Sequence, residues 1–355
     1  MAYFFKLPSI AELTIAQQSA LNEPNAIAIS GGPGTGKSMV SLWRHIRNHT
    51  IGSKRSLLLT YTKTLEQYLA ASAMIENTDA GYAVNRVYWW TNHNSSDRKN
   101  QKYDEIIIDE AQDIDKIKYH LIKNAAKMVS YGADDQQILY PEQATTQEEL
   151  ANIFENNQKY FLDENFRNSY EIMLFIKAFF KRRVIDQNIL DRLLQEGKRS
   201  RKPRLLISNS INKQEEAIID IINNFNSATH NIAILVPFKD DVERYSMLIE
   251  NAGILCSSFS SSNESINKIE NIHITTFKSS KGLEFDTVII PNFETALSNV
   301  TKSRIITSND YYVAITRAKR NLYLISSYIS NYPKVIVYFL PNSASIANTC
   351  SLMSL

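Results

Sequence analysis

The stretch GGPGTGKS at residues 31–38 decides the fold, because its spacing G-x-x-x-x-G-K-S is that of a phosphate-binding loop. A strand-like run, 26–30, precedes it and a helix-like run, 39–48, follows it. In that context backbone N–H groups and a helix N-terminus face an anion. We therefore predict that the whole loop binds the phosphates of a nucleotide: Gly31, Gly32, Pro33, Gly34, Thr35, Gly36, Lys37 and Ser38.

Two side chains of the loop and two carboxylates further on have distinct expected roles. Lys37 would reach the β- and γ-phosphates, and the Ser38 hydroxyl would bind Mg²⁺. The stretch EIIIDEAQD, 105–113, places Asp109 and Glu110 at the end of an apolar strand, where ligands bind in α/β sheets. Asp109 is the second predicted Mg²⁺ ligand, and Glu110 is the predicted base for an attacking water. ATP and Mg²⁺ are the predicted cofactors.

Composition limits the class of protein without identifying it. The 355 residues are 44% apolar and 21% charged, which is typical of a globular protein with about two domains. The net charge of +2 gives no overall field for nucleic acid, so any such site must be local. Cys256 and Cys350 form no metal or disulfide framework, and no run approaches the roughly 20 apolar residues of a membrane span. We expect a cytoplasmic protein without a membrane partner.

Apolar strand-sized runs alternate with amphipathic helix-sized runs, which predicts α/β units with parallel sheets. We expect an N-terminal domain at 1–165, a C-terminal domain at 166–340 and a tail, or docking segment, at 341–355. The predicted strands are 26–30, 56–60, 86–90, 105–109, 128–132, 159–162, 204–208, 231–236, 271–276, 287–291 and 321–326.

Three stretches interrupt this alternation. Residues 91–103 and 257–270 are polar and read as loops. Residues 181–204 carry nine Lys or Arg against three Asp or Glu, which suits either a solvated helix and loop or a phosphate-contacting surface. In the predicted strand 86–90, Trp89 and Trp90 would point to opposite faces, one into the core and the other available for contacts.

Six segments in fixed order resemble the UvrD/Rep-like superfamily 1 helicases, from Leu13 to about Ile325. They are LTIAQQSAL (13–21), LLLTYTKTL (57–65), YGADDQQILY (131–140), LDENFRNSYEI (162–172), TTFKSSKGLEFDTVIIP (275–291) and YVAITRAKRNLYLI (312–325). The resemblance implies two RecA-like parallel-sheet P-loop domains with ATP in the cleft between them.

The resemblance also assigns roles to individual positions. Gln17 would read the adenine, Gln136 would sense the γ-phosphate, and Gly282 and Glu284 would lie near the nucleotide. Arg167 and Arg317 would stabilise charge at the γ-phosphate, where an arginine finger contributes roughly 10³–10⁵ in rate. The positions that would contact single-stranded nucleic acid are Thr60, Tyr61, Lys63, Tyr140, Thr276 and Lys278.

Three departures from the family pattern concern the nucleic-acid side. The usual accessory inserts would fall in 91–103 and 257–270, which are short here, so the chain resembles a motor core alone. The aromatic pair expected after Gln136 is replaced by Ile-Leu-Tyr-Pro, with Tyr140 one position out of register. Tyr61 or the two tryptophans would then supply the missing stacking. Lys278 stands where many members have histidine, and a cation there suits a phosphate contact.

Two functions from different classes remain open at this point. The first is an ATP-driven translocase or helicase on single-stranded nucleic acid, with DNA favoured over RNA and a 3′–5′ direction implied by the resemblance. The second is a nucleotide-dependent switch or accessory ATPase subunit of a nucleic-acid-processing or defence complex, without autonomous unwinding. Both imply a protein partner, such as a nuclease or another subunit.

Overall fold

A computed structural model describes residues 3, 7–51, 54–93, 102–181, 185–260, 268–302, 305–328 and 335–339. The chain divides into two compact units. The first unit is Phe5–Phe166, and the second unit is Arg167–Leu355 together with Met1–Phe4. Each unit contains one parallel sheet with helices between its strands. The predicted α/β class with two parallel sheets is confirmed. The predicted tail, 341–355, lies outside the described residues.

The first unit is a six-stranded sheet in the order β3-β2-β4-β5-β1-β6. All its paired strands are parallel, so every strand ends at the same edge. Its elements are α1 (Ile15–Asn22), β1 (Ile27–Gly31), α2 (Lys37–Thr50), β2 (Ser56–Thr60), α3 (Lys63–Glu76), α4 (Thr78–Tyr82), β3 (Val84–Arg86), α5 (Val87–His93), β4 (Tyr103–Ile108), α6 (Lys116–Ala125), β5 (Ala126–Ala133), α7 (Gln147–Ile153) and β6 (Gln158–Leu162).

The second unit is a seven-stranded parallel sheet in the order β13-β7-β12-β11-β8-β10-β9. Its elements are α8 (Tyr170–Phe179), α9 (Gln187–Gln195), β7 (Arg204–Ile207), α10 (Ile211–Phe225), β8 (Ile232–Val236), α11 (Lys239–Asn251), β9 (Ser257–Phe259), β10 (Ile272–Thr276), β11 (Phe285–Ile290), α12 (Ala296–Lys302), α13 (Ser308–Thr316), β12 (Ala318–Ser326) and β13 (Ile336–Phe339). None of the described helices in either unit is long and apolar enough to cross a membrane.

One predicted strand is wrong in type. Residues 86–90 do not form a strand: β3 ends at Arg86, and helix α5 starts at Val87. The split between the two tryptophans nevertheless occurs, since Trp90 is fully buried in the core of the first unit while Trp89 is 40% exposed. A helix separates neighbouring side chains by about 100°, which is enough to put one inside and the other outside.

All three stretches that interrupt the predicted alternation contain some regular structure. The stretch 91–103 includes the end of α5 and the start of β4, and its residues 94–101 lie outside the described residues. The Ser-rich stretch 257–270 begins with β9, which pairs in parallel with β10 at the edge of the second sheet, and 261–267 lie outside the described residues. The basic stretch 181–204 contains α9 and the start of β7, and 182–184 are likewise not described. Within it Arg199 pairs with the buried Glu171 at 2.6 Å, so part of this charge is compensated locally.

A buried ion pair fixes helix α2 against the first sheet. The Arg44 Nε atom on α2 lies 2.6 Å from Glu105 Oε1 on β4, and both side chains are nearly inaccessible. Arg44 also donates to the backbone oxygens of Glu23 and Asn25, while Glu105 accepts from Asn48 and Ser130. Such full pairing offsets the cost of removing two charges from water.

Replacing Glu105 with alanine is expected to destabilise the protein by about 3–5 kcal/mol, because it leaves the Arg44 charge buried and unpaired. Denaturant unfolding would measure the loss. The control is Lys116→Ala, which removes the exposed Lys116–Glu149 pair and should cost less than about 1 kcal/mol. Equal effects of the two substitutions would show that the buried network contributes no more than a surface pair.

Candidate nucleotide-binding site

The loop at 31–38 joins β1 to α2, and three of its glycines, Gly31, Gly34 and Gly36, have positive φ angles. Gly31 has φ 146° and Gly36 has φ 86°, a region that other residues rarely adopt. A Cβ atom on Gly31 would lie 2.3 Å from the Leu162 carbonyl oxygen, and one on Gly36 would lie 2.3 Å from Gln17 Nε2. The loop therefore packs against its surroundings through backbone atoms, and Lys37 begins the helix. This geometry suits a phosphate at a helix N-terminus.

Gln17, the predicted adenine reader, lies against this loop. Its Nε2 atom donates to the Thr35 carbonyl oxygen at 3.0 Å, and its Oε1 atom accepts from the Thr14 N–H at 2.9 Å. The second contact belongs to a capping box that starts helix α1. The start of α1 thus fixes the orientation of the Gln17 amide beside the loop.

Lys37 is held inside its own loop. The Nζ atom donates to the carbonyl oxygens of Gly31 at 2.7 Å and Gly32 at 2.9 Å, and it lies 3.8 Å from Asp134 Oδ2. The side chain is 7% exposed. The positive charge of Lys37 therefore lies where the loop would bind an anion.

Asp109, the predicted Mg²⁺ ligand, lies close to the start of helix α2. It follows β4 directly and is 1% exposed. A Cβ placed on Gly132 of β5 would lie 3.6 Å from Asp109 Oδ1 and 3.6 Å from Lys37 Cβ, so the carboxylate borders the start of α2. Ser38 is the second residue of that helix. A carboxylate and a hydroxyl are oxygen ligands of the kind that Mg²⁺ binds, so the residues present suit the ion.

Glu110, the predicted base, has a strained backbone. Its φ of 56° and ψ of 45° lie in the left-handed region, which is unusual for a residue with a side chain. The carboxylate is 7% exposed, and Oε2 accepts from Gln112 Nε2 at 2.7 Å. Strain of this kind costs about 1–3 kcal/mol and clusters at functional sites.

Gln112 was not predicted from the sequence, although it connects the site residues. While its Nε2 atom donates to Glu110, its Oε1 atom accepts from the Asp134 N–H at 3.1 Å. Asp134 is the acidic neighbour of Lys37 and caps the short helix Asp135–Gln137, which contains the predicted γ-phosphate sensor Gln136. Gln136 itself is exposed. One amide therefore connects the predicted base to the segment that would sense the phosphate.

The end of the first unit returns to the loop. Asn165 Nδ2 donates to the Pro33 carbonyl oxygen at 3.1 Å, and the Phe166 N–H donates to the Gly34 carbonyl oxygen at 2.8 Å. These bonds hold the final residues of the first unit beside the phosphate-binding loop. Arg167 follows directly in the chain.

In the second unit, Arg167 lies beside another predicted nucleotide contact, Glu284. Arg167 Nε is 3.2 Å from Glu284 Oε2, and Lys319 Nζ is 3.3 Å from Glu284 Oε1. Burial would raise the pKa of Glu284, but Arg167 and Lys319 outweigh this effect and hold the pKa below its usual value. Gly282, two residues earlier, has φ 86° and turns the chain into β11. The structure thus brings three of these predicted residues together in one unit.

Arg317 belongs to the same cluster and is 1% exposed. Its guanidinium donates to the Leu283 carbonyl oxygen at 3.2 Å and to the Val313 carbonyl oxygen at 3.0 Å. Asn168 was not predicted, yet its Nδ2 atom donates to the carbonyl oxygens on both sides of Arg317, those of Thr316 and Ala318. Asn168 therefore positions the backbone that carries Arg317.

Two family models match the sequence in the order of these two units. The AAA domain model matches residues 14–141, and the UvrD-like helicase C-terminal domain model matches residues 256–329. By these matches the chain is similar to the UvrD-like superfamily 1 helicases. The resemblance carried by the sequence motifs is confirmed.

The similar proteins differ in how much of this UvrD-like chain they match. RecBCD enzyme subunit RecB of Chlamydia pneumoniae is 40% identical over 77 residues, which is 19% of this chain and 7% of that protein. The arterivirus nonstructural protein 10 helicase has a TM-score of 0.43 at 11% identity over 90% of this chain and 63% of its own. The PRRSV helicase has a TM-score of 0.41 at 13% identity, over 88% and 54% respectively. Because both TM-scores lie below 0.5, the assignment rests on the sequence matches.

In the first unit of this UvrD-like chain, two predicted nucleic-acid contacts form a pair. The rings of Tyr61 and Tyr140 lie 5.1 Å apart between centroids with a tilt of 41°. Both are half-buried, as is Lys63 at the start of α3, while the Thr60 side chain is fully buried at the end of β2. Tyr61 and Tyr140 follow β2 and β5, so the pair lies at the same sheet edge as the phosphate-binding loop.

In the second unit the two predicted contacts follow β10. The Thr276 hydroxyl is buried and donates to Ser279 Oγ at 3.0 Å. The Lys278 ammonium lies 3.9 Å from Asp310 Oδ1. Burial raises the pKa of Asp310, although Lys278 opposes that shift. Thr276 therefore shapes the turn after β10, and Lys278 is partly compensated by an acid.

Proposed function

We propose that this chain is an ATP-driven translocase on single-stranded nucleic acid, with DNA as the preferred track and 3′–5′ as the direction. One observation carries this proposal: the short helix Ala111–Asp113 is hydrogen-bonded both to the predicted base and to the residue that precedes Tyr140 of the Tyr61–Tyr140 pair. Gln112 donates to Glu110, while Asp113 Oδ1 accepts from the N–H of Leu139, the residue before Tyr140, at 3.1 Å. A change in this helix on hydrolysis would therefore reach the side chains that stack on bases.

The roles of the site residues follow from their chemistry. Lys37 binds the β- and γ-phosphates of ATP, and Gln17 orients the adenine. Ser38 and Asp109 would hold Mg²⁺, which neutralises charge on the phosphates when bound. Glu110 accepts the proton of the attacking water, and its bond to Gln112 orients the carboxylate for that purpose.

In the second unit, Arg167 and Arg317 would stabilise the charge that develops at the γ-phosphate. Glu284 holds Arg167 through the 3.2 Å ion pair, and Asn168 fixes the backbone around Arg317. These contacts support an arrangement in which both arginines are ordered before substrate arrives. Such preorganisation lowers the reorganisation required in the transition state.

Replacing Glu110 with glutamine is expected to lower ATP turnover by about 10²–10⁴-fold while leaving ATP affinity nearly unchanged, because only the proton acceptor is removed. Steady-state hydrolysis gives the rate, and titration with a fluorescent ATP analogue gives the affinity. A fall in affinity as large as the fall in rate would contradict the role of Glu110 as a base.

The track is tested by steady-state ATP hydrolysis of the purified chain with and without single-stranded DNA or RNA. We expect strong stimulation by DNA, and we expect Tyr140→Ala to raise the DNA concentration needed for half-maximal stimulation. Since stacking contributes about 1–3 kcal/mol per base, the increase should be roughly 5- to 150-fold. Tyr82→Ala is the matched control, because Tyr82 is 72% exposed and lies on α4, away from the aromatic pair.

Two outcomes would contradict this proposal in different ways. Stimulation by RNA alone would correct the track, whereas hydrolysis that responds to neither polymer would reject the autonomous motor. The second outcome favours an accessory ATPase subunit, for which the similarity to a subunit of the RecBCD enzyme is the supporting observation. If DNA or RNA stimulated ATP hydrolysis only after a partner protein was added, that result would identify the role of an accessory subunit.

A further inference from the structure

A cavity of about 490 Å³ opens in the second unit, away from the residues assigned to nucleotide. Its lining follows the ends of β11 and β12, whereas Glu284 and Arg317 immediately precede the same two strands. Because β11 and β12 are parallel, the cavity and those two residues lie at opposite edges of the sheet. The lining residues are Glu294, Thr295, Ser298, Thr301, Lys302, Ser327 and Tyr328.

Glu294 is the distinctive residue of this cavity. It is 9% exposed, and its Oε1 atom accepts from the Ser327 hydroxyl at 2.7 Å. Its Oε2 atom is buried and has no hydrogen-bond partner in the described part of the chain. A buried carboxylate oxygen without a donor is costly, so the arrangement suggests a donor that arrives with a ligand.

The neighbouring hydroxyl groups already use their protons within the protein. Thr295 Oγ1 donates to the Asn292 carbonyl oxygen at 2.8 Å, and Ser298 Oγ donates to the Thr295 carbonyl oxygen at 2.9 Å. The Ser327 proton goes to Glu294. Each hydroxyl oxygen also carries two lone pairs, of which Thr295 uses one to accept from Asn299 Nδ2. Ser327 likewise uses one to accept from Gln214 Nε2. The remaining lone pairs make these side chains acceptors rather than donors towards the cavity. A ligand rich in donors would therefore be complementary.

The side chains that line the cavity distinguish a metal ion from an organic cation as the ligand. Mg²⁺ and Ca²⁺ sites gather several oxygen ligands, and no group of three or more His, Cys, Asp or Glu that could hold a metal occurs among the described residues. A guanidinium has five donors and no acceptor, and its bond to a carboxylate is charge-assisted. We propose that this cavity binds an alkylguanidinium group, with the Glu294 carboxylate as the principal acceptor.

Lys302 allows a second test of whether the ligand carries a positive charge. It lines the same cavity on α12 and carries the same charge as the ligand. The acidic residue and the basic residue of the lining should therefore act in opposite directions: Glu294 attracts a cation and Lys302 repels it. A residue with a purely structural role would not produce that pair of effects.

Calorimetric titration of the full chain with agmatine, without ATP or nucleic acid, tests the proposal. We expect saturable binding that weakens at least tenfold in Glu294→Gln and strengthens in Lys302→Ala. Glu216→Gln is the control, because Glu216 is exposed and paired with Lys213 elsewhere in the unit. Glu294→Gln should also melt at the same temperature as the parent or higher, since it replaces a buried carboxylate whose Oε2 atom lacks a donor.

A second titration, with a peptide, distinguishes a small molecule from a protein side chain as the source of the guanidinium. A capped tripeptide with one central arginine that binds more tightly than agmatine would identify a partner protein's arginine, and the reverse order would identify a free guanidinium compound. Equal agmatine affinity in the parent and Glu294→Gln, or no binding to either probe, would overturn the proposal. ATP hydrolysis plays no part in these measurements, so they succeed or fail independently of the proposed motor function.

Discussion

Lys37→Ala is expected to abolish ATP hydrolysis, with a fall in turnover of roughly 10³-fold or more, comparable to the loss of an arginine finger. The Lys37 ammonium is the cation inside the phosphate-binding loop, where it bonds to the Gly31 and Gly32 carbonyl oxygens. Alanine removes both the phosphate contact and the group that orders the loop around it. Steady-state hydrolysis at saturating ATP measures the effect.

The substitution should leave the fold intact. Asp134, the acidic neighbour of Lys37, still accepts from Gln137 Nε2 at 2.6 Å and from the Gln136 N–H at 3.0 Å, so its charge keeps two donors. Unfolding of Lys37→Ala should therefore resemble that of the parent, and Lys116→Ala serves as the surface-lysine control for activity. Near-normal turnover in a folded Lys37→Ala protein would reject the assignment of the ATP site.

The strands around the site were predictable because their signal is local. A strand buried on both faces of a parallel sheet reads as a short apolar run, and the run 56–60 coincides with β2. The predicted strand 26–30 is displaced by one residue from β1 for the same reason that most element ends shift: the boundary depends on hydrogen bonds rather than on hydropathy. The order of the motifs then placed the loop and Asp109 at strand ends.

The error at 86–90 shows where local reasoning fails. The run RVYWW is rich in residues that favour strands, and a short apolar run cannot be assigned to strand or helix from periodicity alone. In the structure Glu66 on α3 accepts from both the backbone N–H and the Nε of Arg86, at 3.0 Å each, where β3 ends. That contact joins residues 20 positions apart, so the local sequence does not contain it.

The residues that connect the site could not be predicted for a related reason. Gln112 bonds to the backbone of Asp134, 22 residues away, and Asn168 bonds to carbonyl oxygens about 150 residues away. Their chemical types are ordinary, and only the folded chain brings them to their partners. The available signal was position: Gln112 follows the predicted base by two residues, and Asn168 follows Arg167 directly.

Arg317→Ala is expected to reduce ATP turnover by roughly 10³–10⁵-fold and to change ATP affinity much less, because an arginine finger acts mainly on charge that develops in the transition state. Measuring kcat and the dissociation constant of a nonhydrolysable ATP analogue separates the two effects. Arg317→Lys should lose most of the rate as well, since an ammonium lacks the planar fork of donors.

Stability must be measured beside the rate in this case. The Arg317 guanidinium donates to Val313, Leu283 and Thr316, so alanine also removes three hydrogen bonds within the second unit. Asn168→Ala provides the comparison, because it removes the two bonds that position the Arg317 backbone but leaves the guanidinium present. If Arg317 acts on the transition state, Arg317→Ala will lose far more rate than Asn168→Ala at similar stability. Equal losses of rate and ATP affinity in Arg317→Ala would instead make Arg317 a residue that only helps to bind ATP.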